Sequence, residues 1–202
     1  MKSAMPYHGV SAARLKQALR PILATYAAAD RAAWEATVLE LWDGATHREE
    51  RYAATALARH RAARGWQDPA TLDLYRHLVV TGAWWDHVDE VAAHLVGGVL
   101  AGHRPEVTPV MRAWAHDDDL WVRRTAVLSQ LRHGAETDTA LLHDVVDANL
   151  DDRSFWLRKA TGWALREYSR TDPDWVRAEA DLLGERLSGL SRREATRRLP
   201  RV

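Results

Sequence analysis

The chain has 202 residues, 47% of them hydrophobic and 28% charged, so it has enough apolar material to bury the core of one domain. It contains no cysteine, which excludes disulfides and thiolate chemistry and favours a reducing cytoplasm. Its 28 basic and 28 acidic residues balance, so composition alone gives no argument for a nucleic-acid partner.

Apolar residues recur at three- and four-residue spacing through nearly the whole chain, and strand patterns are weak. This periodicity predicts an all-α protein. Helices are predicted over 11–28, 30–43, 46–64, 69–80, 83–101, 105–115, 118–133, 137–149, 153–169, 173–185 and 191–198. The connections between them are short, so successive helices should pack antiparallel.

The predicted helix ends carry residues that begin or stop helices. Proline at the first helical position loses no hydrogen bond, which fits the predicted starts at Pro69, Pro105 and Pro173. The predicted N-caps are Asp30, Thr46, Asp68, Ser154 and Ser191. The predicted C-terminal stops are Gly65, Gly102 and Gly134.

A repeat is visible in the middle of the chain. Trp121 follows Trp85 by 36 residues and Trp156 follows Trp121 by 35, and each tryptophan opens a similar helix. Such a period is typical of helical-pair repeats, whose units must stack because none buries its apolar stripe alone. We therefore expect residues 1–202 to form one domain, a curved solenoid whose inner helices line a concave groove. An irregular helical bundle is the alternative.

Tryptophan is unusually frequent, with 10 residues against one phenylalanine. A core of this size needs fewer indoles, so several should face the surface. Trp85 and Asp89 lie four residues apart in WWDHVD and share one helix face. Arg124, in WVRR, occupies nearly the same repeat position as Asp89. Basic and aromatic residues also cluster on one side of the helix over 153–169: Arg158, Lys159, Trp163 and Arg166.

The longer motifs occur in a recognisable order. They are WWDHVD, DDDLWVRRTAVLSQL, TDTALL, KATGWALREY and LSRREA. Over about residues 35–199 this succession resembles the AlkD-like family of DNA alkylation repair glycosylases. The earlier segment MPYHGVSAARLKQ is similar to the family's N-terminal turn, more weakly. Several long motifs in register make the resemblance much more specific than one short pattern would be.

The resemblance implies an all-α, HEAT-like superhelical solenoid of antiparallel helix pairs with a concave DNA-binding groove. It implies a DNA glycosylase of base excision repair that hydrolyses the N-glycosidic bond of cationic N3- or N7-alkylated purines, such as 3-methyladenine and 7-methylguanine, without flipping the base. The implied partner is double-stranded DNA containing alkylated bases. We expect a cytoplasmic monomer with no cofactor and no metal. Since the chain has no long apolar run, we expect no membrane span or secretion signal.

The resemblance also assigns roles to individual positions. Matched motif by motif, the catalytic positions are Trp85, Asp89 and Trp163. Asp89 would stabilise positive charge on the sugar and orient water, and the two indoles would hold the cationic sugar and base. Arg124 would grip a flanking phosphate. The full set of expected DNA-binding residues is Arg123, Arg124, Arg158, Lys159, Arg166 and Arg193.

Other functions remain open from sequence alone. The chain could be a non-catalytic helical-repeat protein that binds DNA or DNA damage, or a protein scaffold in which Trp85 and Trp163 are buried. Asp89 alone is also typical of a helix cap or an ion pair. The His143–Asp144 pair and the Glu90–His94 pair lack companion ligands, so neither predicts a metal site.

Overall fold

The computed structural model describes residues 5–199, and every regular element in that range is a helix, which confirms the predicted all-α class. A π-helical stretch, Val91–Val96, joins the helix Trp85–Glu90 to the helix Gly97–Gly102 without a break. The α-helices are α1 (Ala12–Thr25), α2 (Arg31–Asp43), α3 (Arg48–Ala58), α4 (Leu72–Gly82), α5 (Trp85–Glu90), α6 (Gly97–Gly102), α7 (Arg104–Trp114), α8 (Leu120–Leu128), α9 (Thr139–Asp147), α10 (Phe155–Tyr168), α11 (Pro173–Leu183) and α12 (Gly189–Ala195).

The helices form two rows. The inner row is α3, α5, α8, α10 and α12, each of which contacts the next. The outer row is α2, α4, α7, α9 and α11, which pack against the inner helices. Stacked helix pairs of this kind bury one apolar stripe per helix between the rows. The single-domain prediction extends over residues 1–202, of which 1–4 and 200–202 lie outside the described range.

A continuous core fills the space between the rows. Trp34 and Trp42 on α2 are completely buried in it, and each large apolar side chain buried in this way contributes roughly 1.5–3 kcal/mol. Trp84, Trp85 and Trp156 are only partly buried and lie outside this core. Some of the indoles therefore serve the core, as Trp34 and Trp42 do, and others lie beside the inner row, as Trp84, Trp85 and Trp156 do.

Two predicted helices are too long. The helix predicted over 46–64 ends at Ala58, where the Gln67 amide donates to the carbonyl of Ala58 and a 3₁₀ turn follows. The helix predicted over 118–133 ends at Leu128, beyond which the Gln130 amide pairs with the backbone of Asp138. At Ala58 the Gln67 amide satisfies a carbonyl that helical continuation would otherwise use, whereas Gln130 binds the backbone of Asp138, at the start of the next helix.

Three predicted N-caps are confirmed and two are wrong. Asp30, Asp68 and Ser154 each accept a hydrogen bond from the backbone of the following turn. His47, rather than Thr46, precedes α3, because the Glu50 carboxylate folds back onto the amides of both residues. Ser188 caps α12 and accepts from the amide of Ser191, so the predicted cap Ser191 lies inside the helix.

The turn that leads into α5 has an unusual backbone. Ala83 adopts a left-handed conformation with φ 39°, which costs a residue with a Cβ roughly 1–2 kcal/mol. The π-helical stretch begins just after Glu90, two residues beyond Asp89. Left-handed residues and π-bulges both concentrate at functional sites. These two irregularities bracket the segment that carries Trp85 and Asp89.

His87, on α5, is 1% exposed and lies between two aromatic rings. Its ring centroid is 5.3 Å from that of Trp42 and 4.9 Å from that of Tyr52. Neither ring nitrogen has a hydrogen-bond partner among the described residues. Burial of the imidazole lowers its pKa to about 4. His87 is therefore neutral at physiological pH and acts as an apolar filler.

We expect His87→Phe to remove much of the loss of stability that acid causes. In the unfolded state His87 has a pKa of 6.5, whereas in the folded state its pKa is about 4. As the pH falls from 6.5 to about 4, the imidazole therefore binds a proton in the unfolded state but not in the folded state. Stability should fall across this window, by up to about 3 kcal/mol for this residue. Urea titrations of both proteins at several pH values measure the difference. Equal losses in wild type and variant would contradict the assignment.

Candidate active site

Four successive inner helices line one open cavity of about 350 Å³. Trp85 and Asp89 come from α5, and Arg124 comes from α8. The remaining residues are contributed by α10, by α12 and by the turn after α12: Phe155, Trp156, Lys159, Trp163, Arg166, Glu194 and Arg197. The repeat period brings these residues together, since each helix presents the same positions to the same side of the array.

Asp89 and Arg124 form a two-pronged ion pair at the wall of this cavity. Arg124 Nε donates to Asp89 Oδ1 at 2.7 Å and its Nη2 donates to Oδ2 at 2.9 Å. The third nitrogen, Nη1, donates to the carbonyl of Trp156. The Arg124 side chain is 5% exposed and that of Asp89 is 12% exposed. The guanidinium is thus turned onto the carboxylate rather than extended into solvent.

Asp86, one turn before Asp89, has a different electrostatic environment. Burial opposes ionisation of Asp86, but hydrogen bonds from Tyr52 and from Arg48 lower its pKa below the ordinary value. Burial raises the pKa of Asp89, although Arg124, its one charged donor among residues 5–199, opposes that rise. Carboxylates whose environments push their pKa values apart are suited to different tasks. Asp89 is the one better suited to accept a proton, and Asp86 the one suited to hold helices together.

Aromatic rings surround the Asp89–Arg124 pair. Trp85 and Trp163 border this cavity and also an adjoining cavity of about 360 Å³ that shares Asp89. Trp163 additionally packs against the core. The Trp156 ring lies 5.6 Å from Trp84 and 5.6 Å from Trp121, measured between centroids. The result is an aromatic wall that extends from α5 to α10.

Glu194 lies on the wall of the cavity opposite Asp89 and pairs with two basic residues. Its carboxylate is 2.6 Å from Lys159 Nζ and also pairs with Arg166. Burial, together with neighbouring arginines that include Arg197, lowers the pKa of Lys159 and of Arg166. Among the residues that the structure describes, four bases and two acids line this cavity. This cavity therefore carries a net positive charge within a chain whose total charge is zero.

α12 reaches the cavity because it packs closely against α10. A Cβ atom on Gly162 would lie 2.6 Å from Glu194 Cβ and 2.8 Å from the carbonyl oxygen of Ser191. Only glycine permits that approach. The Ser191 hydroxyl also donates to the carbonyl of Arg158 at 2.9 Å. These contacts place Glu194 beside the two cations.

Three of the sequence-predicted DNA-binding residues do not line the cavity. Arg123 pairs with Asp152 at 2.8 Å and donates to the backbone of Asp117. Arg158 donates to the carbonyl of Asp152, and Arg193 is exposed on α12. Their contact with DNA remains a prediction. Arg124, Lys159 and Arg166 do line the cavity, but each is already paired with a carboxylate there.

Sequence reasoning missed four residues of the cavity. Phe155, Trp156, Glu194 and Arg197 were not predicted as site residues, although all line it. Trp156 opens one of the repeats, and Glu194 follows Lys159 by 35 residues, one repeat period. The period was the signal that could have identified both. The two carboxylates of the cavity are each held by a cation, which disfavours a metal ion there.

The protein is thus an all-helical repeat array with an open, basic and aromatic cavity along its inner row. None of the described helices combines the length and apolarity that crossing a membrane requires.

Comparison with known proteins identifies the family. Residues 1–199 match the model of the DNA alkylation repair enzyme family, and the chain belongs to that family. Its fold is similar to that of a solved structure described as a predicted DNA alkylation repair enzyme from Enterococcus faecalis, with a TM-score of 0.86 and 26% identity over 98% of this chain and 90% of that one. No curated protein sequence matches the chain significantly. Family membership supports a role in the repair of alkylated DNA.

Proposed function

We propose that the protein is a monofunctional DNA glycosylase that removes N3- and N7-alkylated purines from duplex DNA. The observation that carries the proposal is the convergence of Trp85, Asp89, Arg124 and Trp163 on one open, positively charged cavity. A scaffold with no nucleic-acid role would instead bury both indoles and leave the cavity neutral.

The reaction is hydrolysis of the bond between the deoxyribose C1′ and the purine nitrogen. A purine alkylated at N3 or N7 is already cationic, so it leaves as a neutral base with the electron pair of the broken bond. Positive charge then develops on the sugar, as in glycoside hydrolysis. Water adds to C1′ and loses one proton. Because the leaving group needs no strong acid, the protein has to stabilise a cation and accept a proton.

Asp89 fits both requirements. Its ionised carboxylate lies at the cavity wall, where it stabilises positive charge on the sugar and accepts the proton of the attacking water. Arg124 holds both carboxylate oxygens, so it acts as a positioning residue that fixes the direction in which Asp89 presents them. The phosphate grip expected for Arg124 would require this pair to open.

The remaining residues that line the cavity would bind two parts of the DNA, the alkylated nucleoside and the neighbouring phosphates. Trp85 and Trp163 offer ring faces to the cationic nucleoside, and each such contact is worth about 0.5–2 kcal/mol. Lys159, Arg166 and Arg197 supply positive charge for the phosphates beside it. An open cavity along the inner row suits a nucleotide that stays in its helix, in keeping with excision without base flipping.

The test is release of 7-methylguanine and 3-methyladenine from methylated duplex DNA. We expect nuclease-free protein, at a concentration that saturates the DNA, to release these two bases well above the spontaneous rate. Binding without release by a folded protein would favour the alternative, a non-catalytic protein that recognises DNA or DNA damage. Absence of both binding and release would reject a role for this cavity in DNA repair.

Removal of one indole should slow release without unfolding the protein. For Trp85→Leu and for Trp163→Leu we expect base release about 2- to 30-fold slower, which corresponds to the loss of one cation–π contact. The matched control is Trp175→Leu, because Trp175 packs against Tyr168 at the outer side, away from this cavity. Single-turnover rates at saturating protein measure the effect. Equal slowing in all three variants would indicate a general packing defect.

A further inference from the structure

Three potential metal ligands lie together where the segment before α1 crosses the start of α3. The ligand atoms of His8, His47 and Glu50 all lie within 4.8 Å of one another. His8 Nε2 is 3.0 Å from Glu50 Oε1, and His47 Nδ1 is 3.8 Å from the same oxygen. The two imidazole rings stack nearly parallel, with their centroids 3.7 Å apart, so the exposed His8 ring has to turn out of this stack before both imidazoles can share one ion. This cluster is outside the cavity described above.

We propose that His8, His47 and Glu50 form a binding site for a divalent cation of the Zn²⁺ type. Donor atoms on a tetrahedral zinc ion, bonded at about 2.0–2.1 Å, lie about 3.4 Å from one another. The two distances to Glu50 Oε1, 3.0 and 3.8 Å, lie on either side of that spacing. Two imidazoles and one carboxylate, with a fourth position for water, form a donor set that zinc accepts.

Glu50 is already oriented for this role. Its Oε2 accepts hydrogen bonds from the amides of Thr46 at 2.5 Å and His47 at 3.2 Å, which leaves Oε1 directed at His8. The Thr46 hydroxyl, 2.9 Å from His47 Nδ1, would rotate away as the ion binds.

The site would fasten the N-terminal segment to the array. The amides of His8 and Val10 each donate to the Glu49 carboxylate at 3.0 Å, which docks the segment beside the cluster. α1, which follows, has no buried residue. Its attachment therefore depends strongly on the segment before it. An ion shared between His8 and α3 would add a cross-link at that point and stabilise the first helix.

The experiment titrates Co²⁺, and then competing Zn²⁺, into the full chain after removal of any affinity tag and of bound metal. We expect one equivalent of Co²⁺ to bind with a visible spectrum typical of low coordination number, and Zn²⁺ to abolish that spectrum. His8→Ala and His47→Ala should each weaken Zn²⁺ binding by more than about 100-fold. His77→Ala is the matched control, since His77 pairs with Asp43 on another part of the surface.

Hydrogen exchange gives a second readout. Zn²⁺ should slow exchange in residues 5–25 of the wild type and of His77→Ala, and should leave both cluster variants unchanged. If stoichiometric Co²⁺ produces no spectrum, the three donors do not form a site and the proposal is overturned. It is equally overturned if binding is the same in the wild type and in both cluster variants, because the metal is then held elsewhere on the surface. Neither result depends on glycosylase activity.

Discussion

Asp89→Asn is expected to slow the release of 7-methylguanine from methylated duplex DNA by about 10²–10⁴-fold while DNA affinity changes little. Asparagine keeps the shape of the side chain and one acceptor for Arg124, but it carries no charge. The neutral amide neither stabilises positive charge on the sugar nor accepts the proton of the attacking water. Single-turnover release and equilibrium binding, measured on the same duplex, separate the two effects. Equal losses in rate and affinity would contradict the assigned role.

Asp86→Asn is the matched control for this experiment. Both residues lie on α5, and both are shielded carboxylates paired with an arginine, Arg48 for Asp86 and Arg124 for Asp89. Loss of one partner from a buried pair costs about 3–5 kcal/mol, so both variants should be destabilised. Only Asp89→Asn should lose base release at a temperature where both are folded. If release falls in proportion to stability in both variants, Asp89 is a structural residue.

As the pH is lowered, we expect the rate of base release by Arg124→Gln to decline at a higher pH than that of the wild type. Burial already raises the pKa of Asp89 and Arg124 opposes that rise, so loss of the guanidinium should raise this pKa further. Because the ionised carboxylate is the active form, release declines as the pH falls through the pKa. The acid limb of the rate profile should therefore move to higher pH. The unfolding free energy should also drop by about 3–5 kcal/mol.

Arg124→Lys distinguishes charge from geometry. Lysine keeps the positive charge but lacks the planar fork that holds both oxygens of Asp89. We expect its acid limb to stay near that of the wild type, while release is slowed because the carboxylate is less well oriented. If the pH profile is identical in wild type, Arg124→Gln and Arg124→Lys, then Arg124 does not act through Asp89. A loss confined to DNA affinity would instead support the phosphate contact implied by the family resemblance.

Helix positions were largely predictable, and helix ends less so. Three- and four-residue periodicity located every α-helix of the described residues, because burial of one apolar stripe dominates helix formation in a stacked array. The ends at Ala58 and Leu128 were missed because residues beyond them make contacts eight or nine residues apart: Gln67 with Ala58, and Gln130 with Asp138. Helical propensity contains no information on such contacts.

The residues of the candidate site were partly predictable for a related reason. The period of 35 or 36 residues places Trp85, Trp121 and Trp156 at equivalent positions, so their convergence on one side follows from sequence. Glu194 was missed because a single glutamate in an arginine-rich segment resembles a solvated surface residue. Its importance depends on the close approach of α12 to α10 at Gly162.

Apolar periodicity and repeat spacing were enough to predict the helical class, the stacking of helix pairs and the indoles and charged groups that share one side of the array. The pairing of those charges could be seen only in the folded chain, where Arg124 pairs with Asp89, and Lys159 and Arg166 pair with Glu194. Sequence does not predict this pairing because the basic side chains are long. From one backbone position, a long side chain reaches either the solvent or a carboxylate on the next helix, and the choice depends on interhelical distances that repeat spacing does not encode.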